Sequence, residues 1–230
     1  RVRFKINSED KKNIFSNKIN NLKDLEKKIY KFNGSELKKT ATKLVFGDGN
    51  PKSKIMLIGE APGYEEDISG LPFVGAAGKK LDEMINAIGL NRRKNVYITN
   101  IVPWRPPNNR TPTEKEVSIF VPYVEKHIGI INPDIIILLG NIAAKAILKT
   151  KKGITKIHGN WFCCPDLSKF SGSSQFWNAC FILGQSESII AYHAVSRLRP
   201  LYIVDIANIT SKDRRNRSAD KSDFALSASH

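Results

Sequence analysis

Apolar residues in this chain gather into short continuous runs, separated by longer stretches in which they recur at helical spacing. The run Lys54-Ile-Met-Leu-Ile58 stops in a loop of Gly, Pro and acidic residues from Gly59 to Gly75. A short apolar run bounded by turn residues predicts a buried strand. Residues 78–89 follow with the spacing of an amphipathic helix, closed by Gly89. Val96 to Thr99 predicts a second strand, ending at Asn100. Pro103 to Pro112 forms a stiff loop of Arg, Pro and Asn. Thr113-Glu-Lys-Glu116 has the form of a capping box, opening a helix that runs to about residue 130. Asp134 to Leu139 is apolar after its first residue, as in a strand covered on both faces. Gly140 then turns into a helix over 141–148, and Glu187 to Tyr192 predicts a fourth strand ending at His193.

Upstream, Ile14, Ile19, Leu22, Leu25 and Ile29 set one amphipathic helix, or two short ones, within residues 8–31. Residues 163–186 are rich in Ser, Gly, Asn and Gln and read as a loop or insertion. Residues 209–230 carry Arg214, Arg215 and Arg217 with little apolar content, the composition of a disordered tail. Strand alternating with helix implies an α/β fold: a three-layer αβα arrangement around a central, mostly parallel four-stranded sheet. The expected organisation is a helical extension over 1–39, a main domain over 40–200 and a divergent tail over 201–230. Parallel strands put their carboxyl ends on one edge, where open α/β sheets bind ligands. Glu60 and Phe73 after the first strand, Asn100 after the second and His193 after the fourth are thereby expected around one pocket.

Charge adds a partner. Lys and Arg total 37 against 22 Asp and Glu, a formal net charge of +15. Such a field attracts polyanions, so nucleic acid is the first partner to consider and a membrane surface the second. No run approaches the ~20 apolar residues of a membrane-spanning helix, and the start lacks the apolar stretch of a signal peptide. The chain begins at Arg1 without Met, which points to a fragment or a processed form. Three cysteines, Cys163, Cys164 and Cys180, make a poor disulfide framework and fit a reducing cytoplasm.

A carboxylate, an Asn, a His and a Phe around one pocket suit the recognition and departure of a planar heterocycle. Phe offers a stacking face. The Asn amide offers one acceptor and two donors, matching an imide edge such as O4 and N3–H of uracil. A His stabilises a developing oxyanion. A carboxylate orients a water or supports an oxocarbenium-like sugar. With a basic surface, this suggests a base flipped out of DNA.

The motifs carry a resemblance. Gly59-Glu-Ala-Pro-Gly63, Glu66-Asp67, Gly70-Leu-Pro-Phe-Val-Gly75, Gly78, Thr99-Asn100, Arg105-Pro-Pro-Asn-Asn-Arg110, Leu139-Gly140 and Gly153-Ile-Thr155 fall in order along the chain. In these segments the chain resembles the family-4 uracil-DNA glycosylases, in particular their alphaproteobacterial-type branch. The resemblance implies Glu60 and Glu66 as acidic groups for water positioning or cation stabilisation, and Phe73 and Asn100 for stacking on and reading uracil. Ala61 and Gly63 would line the base pocket. His193 would stabilise the uracil anion, in a segment where Ala194 stands in place of the family's proline. Arg105, Arg110 and Arg199 would contact DNA. Many members hold a four-iron cluster on four cysteines. Here those positions are Phe32, Ser35, Trp104 and Phe120, so no cluster, metal or other cofactor is expected.

The expected function is therefore removal of uracil from DNA by a cytoplasmic, nucleoid-associated monomer. The competing reading is a degenerate, catalytically weak DNA-binding module of the same fold, suggested by Ala194, the foreign C-terminus and the missing cysteines. A third is an enzyme acting on free nucleotides, against which the charge and the Arg/Pro loop argue.

Overall fold

The computed structural model describes residues 19–157, 161–163 and 179–183. Strands β1 (Asp48–Gly49), β2 (Ile55–Gly59), β3 (Tyr97–Asn100), β4 (Ile135–Leu139), β5 (Trp161–Cys163) and β6 (Ala179–Leu183) form one sheet in the order β1-β3-β2-β4-β6-β5. The inner four, β3-β2-β4-β6, are parallel, and β1 and β5 add short antiparallel edges. Helices α1 (Leu22–Lys31), α2 (Leu37–Thr40), α3 (Tyr64–Ser69), α4 (Ala76–Ala87), α5 (Glu114–Ile131) and α6 (Asn141–Leu148), with short 3-10 helices at Pro107–Asn109 and Ile154–Lys156, complete the described elements.

Alternate residues of the inner strands feed two cores. Met56, Ile58, Ile136 and Leu138 face the helices α1, α5 and α6, whereas Leu57, Ile98, Ile135 and Ile137 meet Leu81 and Ile85 of α4. Burial on both faces is why these strands read as continuous apolar runs. Leu25 and Ile29 of α1, with Leu37 of α2, belong to the larger core. That core also holds a polar inclusion. The His127 ring stacks on Phe46 at 4.4 Å between centroids, and its Nε2 lies 2.9 Å from the Tyr97 hydroxyl. Burial lowers the His127 imidazole to about 3 and raises the Tyr97 phenol.

The parallel core of four strands agrees with expectation, but its fourth member does not. Ala179–Leu183 supplies β6, inside the stretch whose composition reads as a loop. Its apolar run, Ala-Cys-Phe-Ile-Leu, is short and surrounded by polar residues that dilute the signal. The strand expected over 187–192 lies outside the described residues. Elsewhere local chemistry predicts well. Thr113 Oγ1 accepts from the Glu116 amide and the Glu116 carboxylate accepts from the Thr113 amide, closing the capping box. Gly89, at φ +76°, ends α4.

The chain leaves β2 for β3 on one side and later returns to β4 on the other. Such a reversal opens a crevice at the strands' carboxyl ends, just beyond Gly59.

Candidate active site

Gly59 ends β2 and pairs in register with Asn100, the end of β3. A Cβ built on Gly59 would lie 2.5 Å from Asn100 Oδ1 and 2.5 Å from Cζ of Phe73. Only a residue without a side chain lets this amide and this ring approach the same strand end. Asn100 is 4% exposed, and its Oδ1 has no hydrogen-bond partner among the described residues. An orphaned buried acceptor carries a desolvation penalty of about 1–3 kcal/mol that a ligand donor removes.

The Phe73 ring is held by its own backbone. Phe73 sits at φ +54°, a region that few residues other than glycine adopt. Two ions pin it from opposite sides. The Arg92 guanidinium donates from Nη1 to the Pro72 carbonyl at 2.7 Å and from Nη2 to the Phe73 carbonyl at 2.6 Å. Asp82 accepts from Arg92 Nε at 3.0 Å, and Asp48 lies 3.4 Å from Nη1. Glu66 takes the following amides: Oε1 accepts from Val74 and Gly75 at 2.9 and 2.8 Å, and Oε2 from Gly63 at 3.0 Å. Carbonyls before the bend and amides after it are thus each gripped by a full charge. Behind them, a Cβ on Gly78 would fall 1.9 Å from the Phe73 carbonyl oxygen, so α4 packs against this bend only through a glycine.

The residues anticipated from sequence divide accordingly. Glu60, Phe73 and Asn100 come to one edge of the sheet. Glu60 is partly buried, and burial raises its carboxyl above the usual carboxylate range despite an opposing hydrogen bond from Thr111. Ala61 packs against the larger core, and Gly63 caps the first turn of α3. Glu66 faces the loop's own amides, and buried Asp67 accepts from the amides of Thr42 and Lys43 at 2.8 and 3.1 Å. Arg105 lies over the exposed Tyr64 ring, 5.0 Å from its centroid, and donates to Asn109 Oδ1. Arg110 is occupied: its guanidinium makes a two-point pair with Glu116 at 2.6 and 2.8 Å. That pairing holds the Glu116 carboxyl down at about 2. His193 and Arg199 lie outside the described residues. Sequence reasoning missed Arg92, which stands among the charges of Asn91-Arg-Arg-Lys94 and reads there as solvated surface.

Three of the four positions aligned with cluster cysteines meet. The Phe32 and Phe120 rings meet at 6.1 Å and Trp104 and Phe120 at 5.5 Å, both edge to face. Ser35, the fourth, follows Phe32 in the chain and is 3% exposed, its hydroxyl without a partner among the described residues. Three aromatic rings and one hydroxyl offer no thiolate, so this donor set does not fit an iron–sulfur cluster.

Residues 46–199 match the Uracil DNA glycosylase superfamily. The chain is 47% identical over 129 residues to a type-4 uracil-DNA glycosylase of Archaeoglobus fulgidus, a match covering 56% of this chain and 64% of that protein. It is 35% identical over 195 residues to that of Sulfurisphaera tokodaii, covering 85% and 82%. For the Thermotoga maritima protein of the same name the figures are 43% over 137 residues, covering 59% and 71%. The match thus spans slightly less than two thirds of the Archaeoglobus protein and more of the other two. With this breadth of similarity, and with a glycine, a phenylalanine and an asparagine set around one strand end, the chain belongs to the uracil DNA glycosylase superfamily, on its type-4 branch.

Proposed function

We propose that this protein removes uracil from DNA, hydrolysing the N-glycosidic bond of an extruded deoxyuridine and leaving an abasic site. The observation that carries the reading is the buried Asn100 Oδ1, left without a partner among the described residues and set beside the Phe73 ring across Gly59. An amide oriented to accept from N3–H and donate to O4 suits uracil. Cytosine presents the opposite pattern, an acceptor at N3 and a donor at N4. The Phe73 ring supplies the stacking face.

The reaction breaks the bond between C1′ and N1. Its electron pair leaves with uracil as an anion, and a water oxygen bonds to C1′ while its proton passes to a base or to solvent. Glu60, partly desolvated and hydrogen-bonded to Thr111, is assigned to orienting that water or to supporting positive charge on the sugar. His193 is assigned to the uracil anion. Glu66 is assigned a positioning role, because backbone amides already occupy both its oxygens. A net charge of +15 supports DNA as the partner. No helix among the described residues is long and apolar enough to cross a membrane. A monomer working in the cytoplasm on nucleoid DNA is the setting we assign.

The test is a labelled oligonucleotide carrying one uracil, beside its thymine counterpart, followed by alkaline cleavage of abasic sites. A cut at uracil alone supports the reading. Binding without a cut replaces it with a DNA-binding module whose pocket has lost its chemistry.

A further inference from the structure

We infer that a lysine-lined cleft beside the acidic loop holds the backbone of a DNA strand flanking the extruded nucleotide, with Tyr30 as a stacking platform for one of its bases. The inference rests on DNA being the substrate. It adds a second surface, outside the base pocket, formed by α1, the segment from Lys38 to Leu44 and Trp104.

The cleft encloses about 780 Å³. Along one wall, Lys23, Lys27 and Lys31 stand four residues apart, on one stripe of α1. Tyr30 lies beside them with 63% of its surface exposed, so much of its ring is open to solvent. Lys38 bridges the aromatic groups: its Nζ is 5.4 Å from the Tyr30 centroid and 5.9 Å from that of Trp104, and it donates to the Tyr30 carbonyl and to Asn33 Oδ1. Lys43 lines the cleft as well, and Glu26 is the one carboxylate among the lining residues.

Like charges four apart destabilise a helix. Lys23, Lys27, Lys31 and Lys43 have no ion-pair partner among the described residues. A stripe that the fold leaves uncompensated, next to an exposed ring, matches a single strand: phosphates take the charge and a base takes the ring face.

Continuity with the base pocket gives the cleft its place in the reaction. Asp67 of α3 accepts from the amides of Thr42 and Lys43. The Lys43 Cδ would lie 3.4 Å from a Cβ built on Gly70, in the loop that leads to Phe73. Trp104 follows Asn100 by four residues, so at most ~14 Å of extended chain separates them. At the ~3.4 Å of helix axis per phosphate that one strand has in B-form DNA, this upper limit equals about four nucleotides. Tyr64, 59% exposed under Arg105, opens the same helix α3 that carries Asp67.

The test measures affinity for a uracil-free single strand of about 15 nucleotides across a salt series. The proteins are wild type, the triple variant Lys23→Gln/Lys27→Gln/Lys31→Gln, and Tyr30→Ala. A control, Lys52→Gln/Lys94→Gln, removes charge near the opposite ends of the strands. The slope of log K against log salt should shrink by about 2 in the triple variant, at ~0.7 per phosphate on single strands. It should stay close to wild type in the control. Tyr30→Ala should weaken binding about five- to hundred-fold, as for one stacked base. Wild-type binding in both folded variants overturns the inference, and so does an equal loss in the control. If the triple variant fails to fold, Tyr30→Ala and Lys43→Gln carry the same test. Failure of the excision reading shows elsewhere, as wild-type protein that leaves uracil in place while these affinities still move.

Discussion

Replacing Glu66 by Gln separates a carboxylate that does chemistry from one that shapes a loop. Glu66 receives three amide bonds of 2.8–3.0 Å from Gly63, Val74 and Gly75. Hydrogen bonds to charged groups contribute about 1.5–3 kcal/mol each. Gln keeps one acceptor oxygen, enough for Val74 and Gly75, but turns an NH2 toward the Gly63 amide, donor against donor. One bond is lost outright and two fall to neutral strength. Because the side chain is only partly buried, water recovers some of this, and the expected loss is about 2–4 kcal/mol. Arg92 still grips the Pro72 and Phe73 carbonyls, so the chain should fold while the bend loosens. The assay is urea denaturation combined with hydrogen exchange at Val74 and Gly75, alongside uracil excision. Expected are a lower denaturation midpoint, faster exchange at those amides and a moderate fall in excision that tracks the loosening. A thousandfold fall in excision, with midpoint and exchange unchanged, would refute the reasoning and make Glu66 a chemical participant. So would wild-type behaviour in all three.

Further predictions follow from the same geometry. Asn100→Asp, ionised at neutral pH, loses both side-chain donors and should abolish or redirect base choice; retained preference for uracil in competition with cytosine counts against Asn100 as the reader. Burial raises the Glu60 carboxyl, so if its ionised form acts, excision should fall on acidification at a pH above that of an ordinary glutamate. Glu60→Gln should flatten that limb of the profile. His127 titrates at about 3 when folded against an ordinary 6.5, so below pH 6.5 the unfolded chain binds the extra proton and folding weakens. The expected slope is ~1.4 kcal/mol per pH unit between about 6.5 and 3, and urea midpoints should lose it in His127→Gln. Phe120→Ala removes a fully buried ring in contact with Phe32 and Trp104 and should lower stability by about 3–5 kcal/mol, read in the same denaturation assay.

Legibility followed the range of the interactions. β2, β4 and the Thr113 capping box were readable because each is specified within a few residues. Glu60, Phe73 and Asn100 could be placed together without contacts in hand, since parallel strands deliver their ends to one edge. β6 escaped because five apolar residues in polar surroundings carry little periodicity. Arg92 escaped for another reason: its function depends on Pro72 and Phe73, some twenty positions away, and an arginine beside another arginine looks the same in sequence whether buried or solvated. Glu66 shows the converse. Its motif marks an acidic residue near the pocket, yet only the geometry reveals that the loop's amides already hold it.

The three rings at Phe32, Trp104 and Phe120 join the end of α1 to the segment beyond β3 and to α5. Apolar contact of this kind has its own thermal signature. It weakens on cooling and under pressure, and it is indifferent to chelators, oxidants and reductants. The lysine-bearing helix is therefore fastened at this corner by packing that needs no iron or sulfide delivered during assembly. The corner should survive oxidative stress and loosen first in the cold.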